Sequence, residues 1–226
     1  MAINISLSKA VFIDKDGTLV ENIPYNVNPE QIKLVDGAIE GLKLLQKAGY
    51  KIIIVSNQSG VARGYYTEAD LTRVEEHLRA TLSSEGIPLD GFYYCPHYPD
   101  GKIKDYSIDC MCRKPRPGML FKAGRDHNIN LAASWIIGDI LDDVEAGRRA
   151  DCYTVLIDNG NETEWSMTPY RRPHHTARSL AEAAKLIYSA NGHSDNGVKP
   201  GVAASPGNQS RAKRVKQTQA NTGARL

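Results

Sequence analysis

The sequence has few of the features that would place it in a membrane, outside the cell or on a nucleic acid. No apolar run approaches the roughly 18 residues that a membrane-spanning helix needs; the longest dense one, Ile52 to Val55, has the size of a buried strand. The first residues, MAINISLSKA, lack the basic start and long apolar stretch of a secretory signal, so a cytoplasmic protein is expected. Only four of 226 residues are cysteine, too few for a disulfide framework. Net charge is also low, at +2, and it is unevenly spread. Residues 191–226 hold six Lys or Arg against one Asp, leaving the preceding 190 residues at −3. The basic character therefore belongs to the tail, and the body is mildly acidic.

Hydrophobic residues make up 41% of the chain, enough for a real core in one domain of ordinary size. Lys9 to Ile13, Tyr50 to Val55, Phe92 to Tyr94, Trp135 to Ile137 and Tyr153 to Ile157 read as strands. Helices are expected over Ala38 to Ala48, from an N-cap at Thr67 to about Ser84, after Pro117, over Asp142 to Ala150 and over Leu180 to Tyr188. Strands alternating with helices imply an α/β fold, a parallel sheet covered on both faces. Ligands bind such sheets beyond the carboxyl ends of the strands, where the strand order reverses. Asp14, Ser56 and Asp139 each follow a strand and so share that edge. From Asn191 onward, Gly, Ser, Asn, Gln and Ala dominate without an aromatic. Such a segment buries too little apolar area to offset its ordering entropy and is expected to be disordered.

Two aspartates one residue apart, Asp14 and Asp16, sit between a buried strand and Gly17. They make a compact oxygen-donor site for a hard cation such as magnesium, and a carboxylate can also act as a covalent nucleophile. A calcium loop is excluded, because Thr18 and Leu19 stand where it needs an acidic or Asn residue and a glycine. A plain turn with two solvated acids stays open on these residues alone. A second cluster is Cys95-Pro96-His97 followed by Cys110-Met111-Cys112. Three sulfurs and one imidazole suit a closed, tetrahedral structural zinc site, against the alternative of buried thiols beside an incidental histidine. The intervening stretch carries Pro96, Pro99 and Gly101 and no apolar periodicity, and a loop of that length needs a staple or a function. Zinc there would set Arg113 and Lys114, directly after Cys112, at the active site.

Asp14-Lys15-Asp16-Gly17-Thr18 resembles the first motif of the haloacid-dehalogenase-like (HAD) phosphatases. Ser56, Lys114 and Gly138-Asp139 resemble the second, third and fourth, in the family's order over residues 10–160. The resemblance implies a HAD-like Rossmann-type sheet with a minimal cap over residues 1–190. It implies Asp14 as nucleophile and Asp16 as general acid, then base. Magnesium would be held by Asp14, Asp139 and the Asp16 backbone carbonyl, while Ser56 and Asn57 with Lys114 bind the phosphoryl group. Asp143 stays outside this set, as a residue that either touches metal or orients its neighbours. The cysteine cluster, Arg113-Lys114-Pro115, Pro117-Gly118-Met119 and the run from Ser56 to Gly64 resemble the D-glycero-D-manno-heptose 1,7-bisphosphate phosphatases. Those enzymes remove the 7-phosphate and keep the 1-phosphate in bacterial nucleotide-heptose synthesis. By that likeness the zinc loop spans about residues 92–115, Arg113 binds the remaining anionic group, and Asn22 to Tyr25 contact substrate.

Histidinol-phosphate phosphatases share most of these motifs and are the near alternative. Ile140 stands where the heptose enzymes often carry a substrate-holding lysine, which bears on substrate and not on chemistry. The loop from Asn159 to Trp165 carries no assigned role. His77 reads as solvated, Cys152 as a small core residue, and Tyr93-Tyr94 as wall or core. A different class of function, nucleic-acid binding through the tail, is disfavoured because Arg211 to Lys216 form only a loose cluster. The expected partner is a small sugar phosphate and the expected state a monomer.

Overall fold

A computed structural model describes residues 7–192 of the chain. Six strands form one fully parallel sheet: β1 (Lys9–Ile13), β2 (Tyr50–Asn57), β3 (Gly91–Cys95), β4 (Trp135–Gly138), β5 (Tyr153–Ile157) and β6 (His175–Ala177). Their spatial order is β3-β2-β1-β4-β5-β6. The chain builds outward from β1 through β3, then returns to the other side of β1 with β4. The order therefore reverses between β1 and β4, and the crevice at their carboxyl ends is the natural ligand site.

The strands are continuous apolar runs because both faces are covered. Alternation within the runs sends Val11, Ile13, Ile52, Ile54 and Ile137 to one face. There they meet α1 (Ala38–Lys47), α3 (Glu68–Ser84) and α6 (Leu180–Ala190) through Leu42, Leu45, Val74, Leu78, Ala184 and Ile187. Phe12, Ile53, Val55 and Ile136 point the opposite way, toward Met119, Leu120 and Ala123 of α4 (Gly118–Asp126) and Ala146 of α5 (Leu141–Arg149). Phe12 is fully buried, so truncation to alanine is expected to cost about 3–5 kcal/mol. At α5 the packing is closer than a side chain allows. A Cβ on Gly147 would lie 2.2 Å from Cγ2 of Ile136.

Three local features extend the sequence reading. The Thr67 cap forms a reciprocal capping box with Asp70. Strand β2 continues two residues past Val55, since Ser56 and Asn57 pair with Tyr94 and Cys95, so Ser56 belongs to the strand end. A four-residue turn of helix, α2 (Gly60–Arg63), and the edge strand β6 are additional. Both are too short to show a period. The expected disordered tail lies, from residue 193 on, outside the described residues. Among the described residues no helix is long and apolar enough to cross a membrane.

Candidate active site and metal centre

Asp14 directly follows β1, and its backbone N–H donates to the Ile137 carbonyl of β4 at 2.9 Å. The nucleophile candidate is thereby fixed on the strand pair where the sheet order reverses. Asp139 follows β4, and Asp143 lies in the first turn of α5. One carboxylate oxygen from each of Asp14, Asp139 and Asp143 lies within 4.8 Å of the others, and all three residues are buried. A single buried cation, Lys114, serves this triad. Its ammonium bonds Asp14, pairs with Asp143 at 2.6 Å and donates to the Val55 carbonyl at 2.9 Å.

Three carboxylates around one ammonium leave an excess of negative charge in a dry pocket. Burial raises Asp14 to about 7, against the pull of Lys114 and helped by repulsion from Asp143 and Asp16. Asp139 is pushed up to about 6 by burial and then by the Asp14 charge. Asp143 rises to about 6, again through burial, with Lys114 opposing. Burial also works against the Lys114 charge, but Asp14 and Asp143 outweigh it and hold the ammonium protonated beyond its ordinary range. A divalent cation would remove this imbalance, and hard oxygen donors are what magnesium prefers. The donor set fits the ion.

Asp16 faces the other side of the turn. Its carboxylate pairs with the buried Lys15 ammonium and accepts from Gln58 Nε2 at 2.9 Å. Gln58 also donates to Ser56 Oγ at 2.7 Å and accepts from the Tyr66 hydroxyl at 2.6 Å. A hydrogen-bonded chain Tyr66–Gln58–Asp16 thus aims the second aspartate, with Ser56 on a branch. The Asn57 amide grips the Lys114 backbone in both directions, donating to its carbonyl and accepting from its N–H, each at 3.0 Å. This holds the loop that carries Lys114 onto the end of β2. Beside Asp16, a cavity of about 220 Å³ is lined by Asn22, Ile23, Tyr25, Asn57, Ser59 and Tyr66, among others. The Asn22 to Tyr25 segment is therefore wall to the same pocket.

The loop from Asn159 to Trp165, without a role from the sequence, packs against the carboxylate cluster. Asn161 Nδ2 donates to Asp139 at 2.7 Å, and Asn159 Nδ2 donates to the Gly17 carbonyl at 2.8 Å. Glu162 accepts from the Leu141 N–H at 2.6 Å, so the start of α5 is satisfied from this loop. Asp139 is thus no helix cap and keeps its carboxylate for the site. Gly17 has φ +84°, and a Cβ there would lie 2.1 Å from an Asp139 oxygen. Only glycine makes this turn and leaves the carboxylate room.

The four zinc candidates converge. Sγ of Cys95 and Cys110 are 3.4 Å apart, Cys112 lies 3.2 Å from each, and His97 Nδ1 is 3.3 Å from Cys112. These separations are too long for a disulfide and close to the roughly 3.8 Å edge of a tetrahedron with zinc–sulfur bonds of about 2.3 Å. Hydrogen bonding from its neighbours, Cys95 first, lowers Cys112 to about 5, while the same contact raises Cys95. One thiolate is thus favoured even before a metal neutralises the set. Arg113 points away from Lys114. It reaches toward the His97 carbonyl at 3.5 Å and lies 5.2 Å from the Tyr98 ring centroid.

Sequence reasoning missed Gln58, Asn161 and the pairing of Asp143 with Lys114. Gln58 lay inside the quoted run from Ser56 to Gly64, and its spacing of two from Ser56 along a strand end placed it on the same side. Asn161 had no such signal, because the return of its loop to Asp139 depends on the tertiary fold.

Comparison with known proteins gives one answer at three levels. The HAD-hydrolase-like family model matches residues 111–183. D-glycero-beta-D-manno-heptose-1,7-bisphosphate 7-phosphatase of Pasteurella multocida is 39% identical over 182 residues, covering 80% of this chain and 97% of that one. The enzyme of the same name from Escherichia coli K12 is 40% identical over 152 residues, 67% of this chain and 80% of that one. Among solved structures, a HAD-like phosphatase from Mesorhizobium loti superposes with a TM-score of 0.71 at 29% identity, covering 84% and 90% of the two chains. The D,D-heptose 1,7-bisphosphate phosphatase of B. bronchiseptica, complexed with magnesium and phosphate, gives 0.66 at 26% identity, covering 80% and 99%. With its acidic triad on the β1–β4 edge and this identity over nearly the whole of a relative, the chain belongs to the D-glycero-beta-D-manno-heptose-1,7-bisphosphate 7-phosphatase family of HAD-like hydrolases.

Proposed function

We propose that this protein hydrolyses the 7-phosphate of D-glycero-D-manno-heptose 1,7-bisphosphate, in bacterial nucleotide-heptose synthesis, through an aspartyl-phosphate on Asp14. The observation that carries the reading is the buried triad of Asp14, Asp139 and Asp143 around Lys114. The substrate follows from relatives of that name at about 40% identity.

The first step forms a bond between an Asp14 carboxylate oxygen and phosphorus and breaks the bond from phosphorus to the sugar oxygen. Asp16, aimed by Gln58 into the pocket, gives its proton to that leaving oxygen. In the second step Asp16 takes a proton from water, whose oxygen attacks phosphorus and releases phosphate and the Asp14 carboxylate. Lys114 balances the charge on the transferring oxygens, and Ser56, at the end of β2, would bond them. Magnesium, held by Asp14, Asp139 and the Asp16 carbonyl, would screen the repulsion between anionic nucleophile and anionic phosphate. Zinc on Cys95, His97, Cys110 and Cys112 would be structural, since four protein ligands leave no open position.

The test is phosphate release by the purified protein with magnesium. The substrates are the α and β anomers of heptose 1,7-bisphosphate, fructose 1,6-bisphosphate and histidinol phosphate, each also run with Asp14→Asn. One heptose anomer should be strongly preferred and its turnover abolished by Asp14→Asn. Preference for histidinol phosphate would keep the chemistry and sink the substrate.

A further inference from the structure

Lys114 and Arg113 are consecutive, yet they serve different places. Lys114 turns inward to the end of β2, where two carboxylates meet it. Arg113 turns outward, across the zinc-bearing loop, onto the face of Tyr98. A second guanidinium uses the same ring: Arg63, at the end of α2, lies 4.0 Å from its centroid. Two like charges on one ring cannot be more than about 9 Å apart, the sum of these two distances, and they repel unless an anion lies between or above them.

Among the described residues neither Arg63 nor Arg113 forms an ion pair with a carboxylate; the arginines that do are Arg73, Arg79, Arg116, Arg149 and Arg171. Asp142, the carboxylate whose charge feels Arg113, is itself held by Arg171 at 2.6 Å. Arg63 is also incompletely bonded: its Nε is buried and has no hydrogen-bond partner.

The position relative to the reaction centre is suited to a second group of the same substrate. Arg63 lies within electrostatic reach of Tyr25, which lines the cavity beside Asp16. Tyr25 in turn packs edge-on against Tyr65, with ring centroids 4.7 Å apart. Arg113 is one residue from Lys114. Arg63 thus stands behind the Tyr25 wall of the cavity beside Asp16, and Arg113 meets it on the Tyr98 ring. Planar forks of this type grip phosphate bidentately.

We propose that Arg63 joins Arg113 on Tyr98 to form the receptor for the second phosphate of a sugar bisphosphate, making Arg63 a specificity-determining residue. The inference rests on the phosphatase reading above and extends it from the reacting phosphate to the one that is retained.

The experiment measures kcat/KM for a sugar bisphosphate and for the matching monophosphate that lacks the remote phosphate, in the full-length magnesium- and zinc-loaded enzyme. Heptose 1,7-bisphosphate is paired with heptose 7-phosphate, and fructose 1,6-bisphosphate with whichever of fructose 1-phosphate and fructose 6-phosphate carries only the phosphate that product analysis shows to be removed. Arg63→Gln should lower the bisphosphate-to-monophosphate ratio at least tenfold, mainly through KM for the bisphosphate. Arg63→Lys keeps the charge and the stem packing and should recover part of the ratio. An equal fall on both substrates, a lysine variant no better than glutamine, or a wild-type enzyme indifferent to the remote phosphate would each overturn the proposal. A wild-type preference for the fructose pair would sink the heptose assignment and leave the Arg63 test to run on that pair.

Discussion

Lys114 and Asp143 pair at 2.6 Å with side chains that are each 1% exposed. Asp143 therefore balances charge for Lys114, while one of its carboxylate oxygens lies within 4.8 Å of oxygens of Asp139 and Asp14. Asp143→Asn keeps the shape and removes the charge. The magnesium concentration for half-maximal activity should rise about 10- to 100-fold, as for outer residues that tune a metal site, and kcat should fall as well. Titrating activity with magnesium checks this; an unchanged half-saturation point would leave Asp143 with a packing role alone.

The charge excess in the triad also predicts how stability depends on pH. Asp14 is raised from 3.8 to about 7 and its two neighbours to about 6. A group raised on folding contributes stability that is present below its unfolded value and lost as pH rises through the folded one. Metal-free protein should therefore lose stability between about pH 4 and pH 7 from this site. His174, pushed down to about 4 by burial, acts oppositely in the same window. Comparing wild type with Asp14→Asn, which share His174, removes that term. In EDTA the Asp14→Asn protein should melt higher at pH 8, with the gap closing toward pH 5. Added magnesium should stabilise wild type more at pH 8 than at pH 5. A gap that does not change with pH would refute the assignment of charge strain to Asp14.

Zinc should couple to catalysis through Arg113 and Lys114 and not through chemistry of its own. Cys110→Ser removes one of four ligands, and the variant should purify with less than one zinc per chain by elemental analysis. Limited proteolysis should then cut between about residues 98 and 110, and kcat should fall about tenfold or more as Lys114 loses its seat. Cys152→Ser is the contrasting variant. That thiol is buried in the core beside β5, with a pKa raised to about 12 by burial, so its zinc content should match wild type.

How much of this was legible beforehand depended on the range of the signal. Strand and helix positions were readable because buried parallel strands are unbroken apolar runs, and Val11 or Ile53 is apolar whichever face it serves. Thr67 was readable because a cap acts over three residues. The candidate nucleophile and metal-binding residues stood out through motifs whose spacing is local, and the fold gathers Asp14 and Asp139 at one edge of the sheet. What stayed hidden was set by tertiary return. Asn161 reaches Asp139 across 22 positions, Asn57 grips Lys114 across 57, and Glu162 satisfies the Leu141 N–H from outside its helix. Polar residues in a loop look alike in sequence, and only the closed fold distinguishes a ligand's partner from a solvated side chain.

Asn161 gives the sharpest test of that distinction. Its Nδ2 donates to one Asp139 oxygen at 2.7 Å, while Thr18 Oγ1 donates to the other at 3.3 Å. Asp139 sits in a pocket whose burial pushes it up to about 6, and the Asn161 bond works against that rise. Asn161→Ala removes the donor that favours the charged, metal-binding form and frees the carboxylate to rotate. Magnesium affinity should fall about tenfold at pH 7, and the fall should shrink at pH 8, where Asp139 is ionised with or without help. Asn161→Asp places a like charge beside Asp139 and should be worse than alanine without magnesium, with added magnesium recovering part of the loss. If Asn161→Ala binds magnesium as wild type does at both pH values, the 159–165 loop closes the fold and does not tune the site.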